Sequence, residues 1–209
     1  MNSKSPLSLV VSAPSGTGKT TIIKRLLEGD ARFEFSVSTT TRPRRPGEVD
    51  GRSYYFVTED EFVRMRDRGD FVEWALVHGR LYGTLKKEVD RLYAGGKIPV
   101  FDVDVQGARQ LRNTIGDAVY VFIIPPSLEV LKQRLHDRET ESPEQLRLRI
   151  ENAIKELREY MMYDYIIVNR VVDESLECLK SIIGAELCRT RRMEGIIKDW
   201  RLERDNPAG

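Results

Sequence analysis

Apolar residues along this chain follow two rhythms. Short runs of mostly branched and aromatic residues at 7–11, 98–101, 119–124 and 165–168 read as strands, and the first, which does not alternate, reads as one buried on both faces, as in a parallel sheet. Between them, apolar residues recur every three or four positions, which predicts amphipathic helices. One runs from about 18 and closes at Gly29-Asp30, and another runs from 85 to 93 and closes at Gly95-Gly96. Two more cover 105–113 and 128–138, the second opened by Pro125-Pro126-Ser127. Leu146, Ile150, Ile154, Leu157 and Met161 share one helical face, as do Leu176, Leu179, Ile183 and Leu187. Alternating strand and helix predicts an α/β fold, a parallel sheet with helices on both faces.

The rhythm breaks between 36 and 85. Residues 33–41 are β-rich, and 42–47 must form a loop because Pro43, Pro46 and Gly47 interrupt it; the loop displays Arg42, Arg44 and Arg45. A short strand is expected at 54–57. Thr58 and Glu61 have capping-box spacing and open a helix with Phe62 and Met65 on one face. Strands at 71–77 and 81–84 flank a turn at His78-Gly79-Arg80. The expected organisation is therefore a core made of 1–35 and 86–209, a β-rich insertion at 36–85, and a mobile, arginine-bearing hairpin at about 138–155. Residues 193–209 receive no assignment.

Composition narrows the picture. The chain has 209 residues, 40% hydrophobic and 32% charged, with a formal net charge of +1. That balance argues against a nucleic-acid binder, which carries a large basic excess. Its two cysteines, Cys178 and Cys188, lie in a late helical region and read as packed or half-exposed thiols. No run is long and apolar enough to span a membrane, and residues 1–6 are polar. The expectation is a soluble, cytoplasmic protein with neither membrane nor nucleic acid among its partners.

The chemistry concentrates at Ala13-Pro14-Ser15-Gly16-Thr17-Gly18-Lys19-Thr20, between the first strand and the first helix. Strand, glycine-rich turn and helix form the context of a P-loop, whose backbone N–H groups surround a phosphate at a helix N-terminus. The spacing G-x-x-x-x-G-K-[ST] is met except at its first position, where Ala13 stands. Lys19 can reach the β- and γ-phosphates of a nucleotide, and the Thr20 hydroxyl can ligate Mg2+. In the insertion, Arg42 and Arg45 can hold a second anion by forked, charge-assisted bonds, with Tyr54 and Tyr82 as hydroxyl donors beside them. For either tyrosine, plain core packing is the competing reading. His78 and His136, the two histidines, read as turn and helix-surface residues.

The chain resembles the guanylate kinase family over about 7–187. The blocks that carry the likeness are 12–20; Ser38 with Thr40-Thr41-Arg42; 45–51; Tyr54-Tyr55-Phe56; 71–75; Tyr82-Gly83; 102–107; Pro125-Pro126-Ser127; and Ile167-Val168-Asn169. Many blocks in one order are far more specific than any single motif. The resemblance implies a nucleoside monophosphate kinase-like core, a GMP-binding insertion and a lid. ATP and GMP would be the substrates, with Mg2+ accompanying ATP. It implies donor contacts along residues 13–20 and at Asn169, and GMP phosphate at Arg42, Arg45, Tyr54 and Tyr82. Guanine would fall to Ser38, Glu73, Thr84, Asp102 and Asp104. Arg134, Arg138 and Arg149 match the helix and lid arginines that join Lys19 and Arg42 in catalysis. Asp102 would either organise Mg2+ or hold GMP.

Physical reasoning agrees with that substrate. Guanine presents N1–H and N2–H2 donors side by side, and adenine does not. A carboxylate such as Glu73 accepts both, while Thr84 or Ser38 can donate to O6. The attacking group is a phosphate oxygen, so no general base is needed, and the demand is for cations that bring two anions together. Two rivals stand beside this reading: a P-loop kinase for another phosphorylated acceptor, and a related binding module without catalysis.

Overall fold

The computed structural model describes residues 7–77, 79–136 and 143–199. Five strands, β1 (Ser8–Ser12), β2 (Phe33–Phe35), β7 (Ile98–Asp102), β8 (Ala118–Ile124) and β9 (Tyr165–Val168), form an all-parallel sheet in the order β2-β7-β1-β8-β9. Every residue of β1 is buried, the terminal Ser8 and Ser12 included, as expected of a strand covered on both faces. Leu9 and Val11 face one side, packed against Ile22, Ile23 and Leu26 of α1 (Lys19–Gly29) and Leu176, Leu179 and Ile183 of α7 (Val172–Leu187). Val10, Phe101 and Phe122 face the other, against Val89 of α3 (Lys86–Ala94) and Ala108 and Leu111 of α4 (Val105–Thr114). The period of two along each strand therefore divides the core into two layers, one under each helical face.

A second sheet, order β4-β3-β6-β5, comprises β3 (Thr39–Thr40), β4 (Tyr55–Phe56), β5 (Phe71–Val77) and β6 (Arg80–Leu85). The β-rich stretch 33–41 is thus not one strand. It splits into β2 and β3, which belong to different sheets, with Ser36–Ser38 crossing between them. α2 (Glu59–Asp67) opens on the expected capping box: the Glu61 N–H bonds to the Thr58 hydroxyl at 3.2 Å and the Thr58 N–H to Glu61 Oε2 at 2.9 Å. Phe62 stacks on Phe71, ring centroids 4.4 Å apart, and Met65 packs against the same small core.

Three expectations change. From Pro143 onward the arginine-bearing segment is helix, α6 (Pro143–Leu157), and not hairpin. Leu146, Ile150 and Leu157 lie against Leu131 and Leu135 of α5 (Leu128–His136). Met161 leaves that face, since the helix has ended and a 3-10 turn (Tyr160–Met162) leaves the side chain 79% exposed. The chain also continues past α7 into α8 (Thr190–Asp199), unassigned from sequence. Its Arg192, 5% exposed, bonds Asp117 at 2.6 and 3.0 Å and Glu186 Oε2 at 2.7 Å. Arg138 lies outside the described residues, as does His78.

Candidate active site

The carboxyl end of the parallel sheet carries the candidate residues. There the neighbours of β1 diverge, and α/β sheets bind their ligands at such a switch point. Gly16 and Gly18 take φ of 87° and 89° in the loop after β1, and Gly18 caps α1. A Cβ on Gly18 would stand 2.6 Å from Asn169 Nδ2, so both the backbone and the space there demand glycine. Ala13 packs against the core beside the loop.

The contacts that hold this loop reach its carbonyl oxygens. Asn169 Nδ2 donates to Thr17 O at 2.6 Å while Ser175 Oγ donates to Asn169 Oδ1 at 2.9 Å, and Thr17 Oγ1 donates to Pro14 O at 3.0 Å. Arg134 reaches Thr17 O at 3.5 Å and Asn169 O at 3.2 Å. Asn169, an expected ATP contact, and Arg134, an expected catalytic arginine, are therefore both brought to the loop through its Thr17 carbonyl. Arg149 of α6 donates to Ser15 Oγ at 2.6 Å. Lys19 Nζ lies 2.7 Å from Asp102 Oδ1 and 2.9 Å from Val103 O, so its charge is neutralised at the end of β7. The Thr20 side chain, at the start of α1, is exposed.

Across from the loop is a cavity of about 270 Å³ lined by Lys19, Phe35, Ser38, Tyr54, Glu73, Ala75, Val77, Tyr82, Asp102, Val103 and Asp104. It gathers residues that lie more than eighty positions apart in the chain, from both sheets. Glu73 sits in β5, 4% exposed, opposite Thr84 of β6. Burial pushes its carboxyl up to about 7; hydrogen bonds from Thr84 oppose the shift, and the Asp104 charge adds to it. The Thr84 hydroxyl is committed to Glu73, and of the two expected hydroxyl donors Ser38 lines the cavity. Gly107 makes room for the acid, because a Cβ there would lie 2.9 Å from Glu73 Oε2. Asp104 caps α4 by accepting from Gly107 N at 2.9 Å.

The arginine loop departs from expectation. Arg44 and Arg45 are exposed, but the Arg42 side chain is 12% exposed and is not displayed. It bonds Glu48 at 2.6 Å and Pro43 O at 2.7 Å, and its guanidinium sits 5.3 Å from the centre of the Tyr54 ring. Glu48 also accepts from Arg45 N at 2.7 Å, so one carboxylate folds the loop. Sequence reading missed Glu48; its spacing of three and six residues from the two arginines was the available signal. Burial and the neighbouring Tyr82 raise the Tyr54 hydroxyl above its usual range. The Arg45 side chain does not line the cavity.

A second hollow of about 320 Å³ adjoins the first at Val77 and Asp104, between Ser15, Arg149 and Glu156. Glu156 was also missed. Burial, with the Asp104 charge behind it, brings its carboxyl up to about 7.

A glycine-rich loop at a sheet switch point, its lysine held at the end of β7, and a second sheet carrying a buried acid and paired tyrosines on the same cavity define a P-loop protein. The guanylate kinase family model matches residues 5–186. The guanylate kinase of Chelativorans sp. (strain BNC1) is 47% identical over 189 residues, 90% of this chain and 87% of that protein. That of Nitratidesulfovibrio vulgaris (strain Hildenborough) is 47% identical over 201 residues, 94% of this chain and 97% of that one. The crystal structure of guanylate kinase from Anaplasma phagocytophilum matches with a TM-score of 0.76 at 31% identity, covering 96% of this chain and 98% of that chain. This chain belongs to the guanylate kinase family.

Proposed function

We propose that the protein transfers the γ-phosphoryl group of ATP to GMP, giving ADP and GDP, and does so in the cytoplasm. The observation that carries this reading is the single cavity with P-loop Lys19 on one wall and buried Glu73 on another. ATP phosphates take the 13–20 loop and draw Lys19 away from Asp102. GMP enters opposite, its guanine N1–H and N2–H2 donating to the Glu73 carboxylate and its O6 accepting from Ser38. Asp104 lies within reach of the same ring edge. Arg42, Arg45, Tyr54 and Tyr82 take its phosphate, whose oxygen attacks in line without a general base. Arg134, Arg138 and Arg149, with Lys19, offset the charge that builds on the transferring group. On this reading 36–85 is the acceptor-binding unit and about 138–155 the lid.

Thr20 and Asp102 supply a hydroxyl and a carboxylate, the hard oxygen donors Mg2+ takes. When bound with ATP, the ion would supply charge neutralisation at the β- and γ-phosphates. Among the described residues no cluster of three His, Cys, Asp or Glu is placed to hold a metal ion.

Lys19 in a complete Gly-Lys-Thr also sets this chain apart from a non-catalytic binding module. A coupled assay of ADP release with GMP, with AMP and with no acceptor tests the proposal. ADP release that depends on GMP is the expected result. Release with AMP instead, or with no acceptor, would overturn it.

A further inference from the structure

The chain passes between the two sheets twice: outward through Ser36–Ser38, and back where β6 runs directly into α3 at Leu85 and Lys86. Glu88 sits in the first turn of α3 beside the return crossing, 2% exposed. Its Oε1 accepts the Val37 N–H of the outward crossing at 3.1 Å. Its Oε2 accepts the Tyr55 hydroxyl of β4 at 3.2 Å. Arg91, one turn along α3, closes over both oxygens at 3.0 and 3.1 Å and also holds Glu34 of β2 at 2.8 Å.

We infer that Glu88 is a positioning residue for the acceptor site, a bolt joining the two chain crossings to the tyrosine-bearing strand. Val37 precedes Ser38 and Tyr55 follows Tyr54, and both Ser38 and Tyr54 line the cavity. The Tyr55 N–H also bonds Ser38 O at 2.9 Å, so the two held segments are bonded to each other. One carboxylate therefore sets the backbone beside a base contact and beside a phosphate contact. Four donors on two oxygens hold it ionised: burial works against this, but the Arg91 and Val37 bonds keep its carboxyl below the usual range. A buried, fully satisfied charge of this kind fixes an arrangement more than it adds stability. The small sheet is attached to the core by two crossings, so a slack bolt lets Ser38 and Tyr54 drift relative to Lys19. Misplacement of about 1 Å at such a site costs up to a hundredfold.

This inference rests on the GMP reading, and the test keeps the two apart. Binding of GMP and of ATP is measured separately by calorimetry for wild type, Glu88→Ala and Tyr55→Phe. Tyr55→Phe removes one hydroxyl and keeps the ring, so it decides the matter if the alanine variant does not fold. Glu88→Ala is expected to weaken GMP roughly tenfold or more, and Tyr55→Phe a few-fold, with ATP within about twofold of wild type. A role confined to stability would lower the melting temperature and leave GMP affinity unchanged. Wild type that binds GMP beside variants that bind it equally well, or that lose ATP in the same proportion, would overturn the inference alone. Wild type that binds no GMP would overturn the functional reading and this inference with it.

Discussion

Replacing Glu73 by Gln should move stability and recognition in opposite directions. The folded carboxyl titrates at about 7 because it is buried, whereas in the unfolded chain it titrates near about 4.3. Across that window the folded protein holds a proton that the unfolded chain has released. Stability must therefore fall as pH rises through it, by up to roughly 4 kcal/mol once the group is ionised. Gln carries no such cost. The ligand-free variant is expected to match wild type within about 1 kcal/mol at pH 5 and to exceed it at pH 8, read from urea unfolding at both values. Recognition goes the other way. The amide keeps one acceptor and turns an NH2 toward a guanine donor, a conflict of about 2–4 kcal/mol, or roughly thirty- to a thousandfold in kcat/KM for GMP. Arg45→Ala gives the contrast, because losing a phosphate contact weakens GMP and AMP alike. The deciding quantity is the kcat/KM ratio of GMP over AMP in wild type and both variants. A ratio unchanged by Glu73→Gln would mean that Glu73 does not read the base. A stability difference that is the same at pH 5 and pH 8 would mean that its carboxyl is not raised.

Lys19→Ala should remove turnover by roughly a thousandfold or more with a native circular-dichroism spectrum, and near-wild-type activity would refute its placement at the donor phosphates. Gly18→Ala forces a side chain into the left-handed region and against Asn169; a rise in KM for ATP of at least about tenfold is expected, and an unchanged value would count against a fixed loop conformation. Arg192→Ala leaves Asp117 and Glu186 without their buried partner and should destabilise the protein by about 3–5 kcal/mol at pH 7. Although burial alone would raise the Glu186 carboxyl, bonds from Tyr165 and Arg192 hold it below its usual range. The loss is therefore full above about pH 4.5 and fades as pH falls through the lower folded value. Denaturant curves that coincide with wild type at pH 7 would contradict it.

Periodicity made the core legible because the centre of the parallel sheet is covered on both faces: β1 does not alternate for that reason, and α2 announces itself through the Thr58–Glu61 box. The split of 33–41 was hidden, since Phe33–Phe35 and Thr39–Thr40 share one β-rich composition and only tertiary pairing assigns them to different sheets. α8 was hidden because its anchor, Arg192, finds its partners at Asp117 and Glu186, distant in sequence or across a helix end. The P-loop could be read outright, as its chemistry is contiguous. The cavity opposite it was legible in part: Tyr54 and Tyr82 stood out beside the arginine loop, whereas Ser38, Glu73 and Asp104 were singled out through likeness to a family, because they meet only by folding. Glu48, Glu88 and Glu156 escaped notice because in sequence each looks like a solvated acid; arginine and backbone partners distinguish the first two, and burial distinguishes Glu156.

The outer edge of β5 is occupied by side chains of α4. Gln110 exchanges two hydrogen bonds with the backbone of Trp74, accepting from its N–H at 3.0 Å and donating to its carbonyl at 2.6 Å, and Thr114 donates to Val72 O at 2.8 Å. With these bonds the helix stands where another strand would add. Bare strand edges recruit further chains into cross-β aggregates. In this molecule β5, the strand that holds Glu73, would be such an edge if α4 were displaced. Gln110 and Thr114 thus bear on whether the newly made chain stays dispersed at high concentration, a property separate from anything it does with nucleotides.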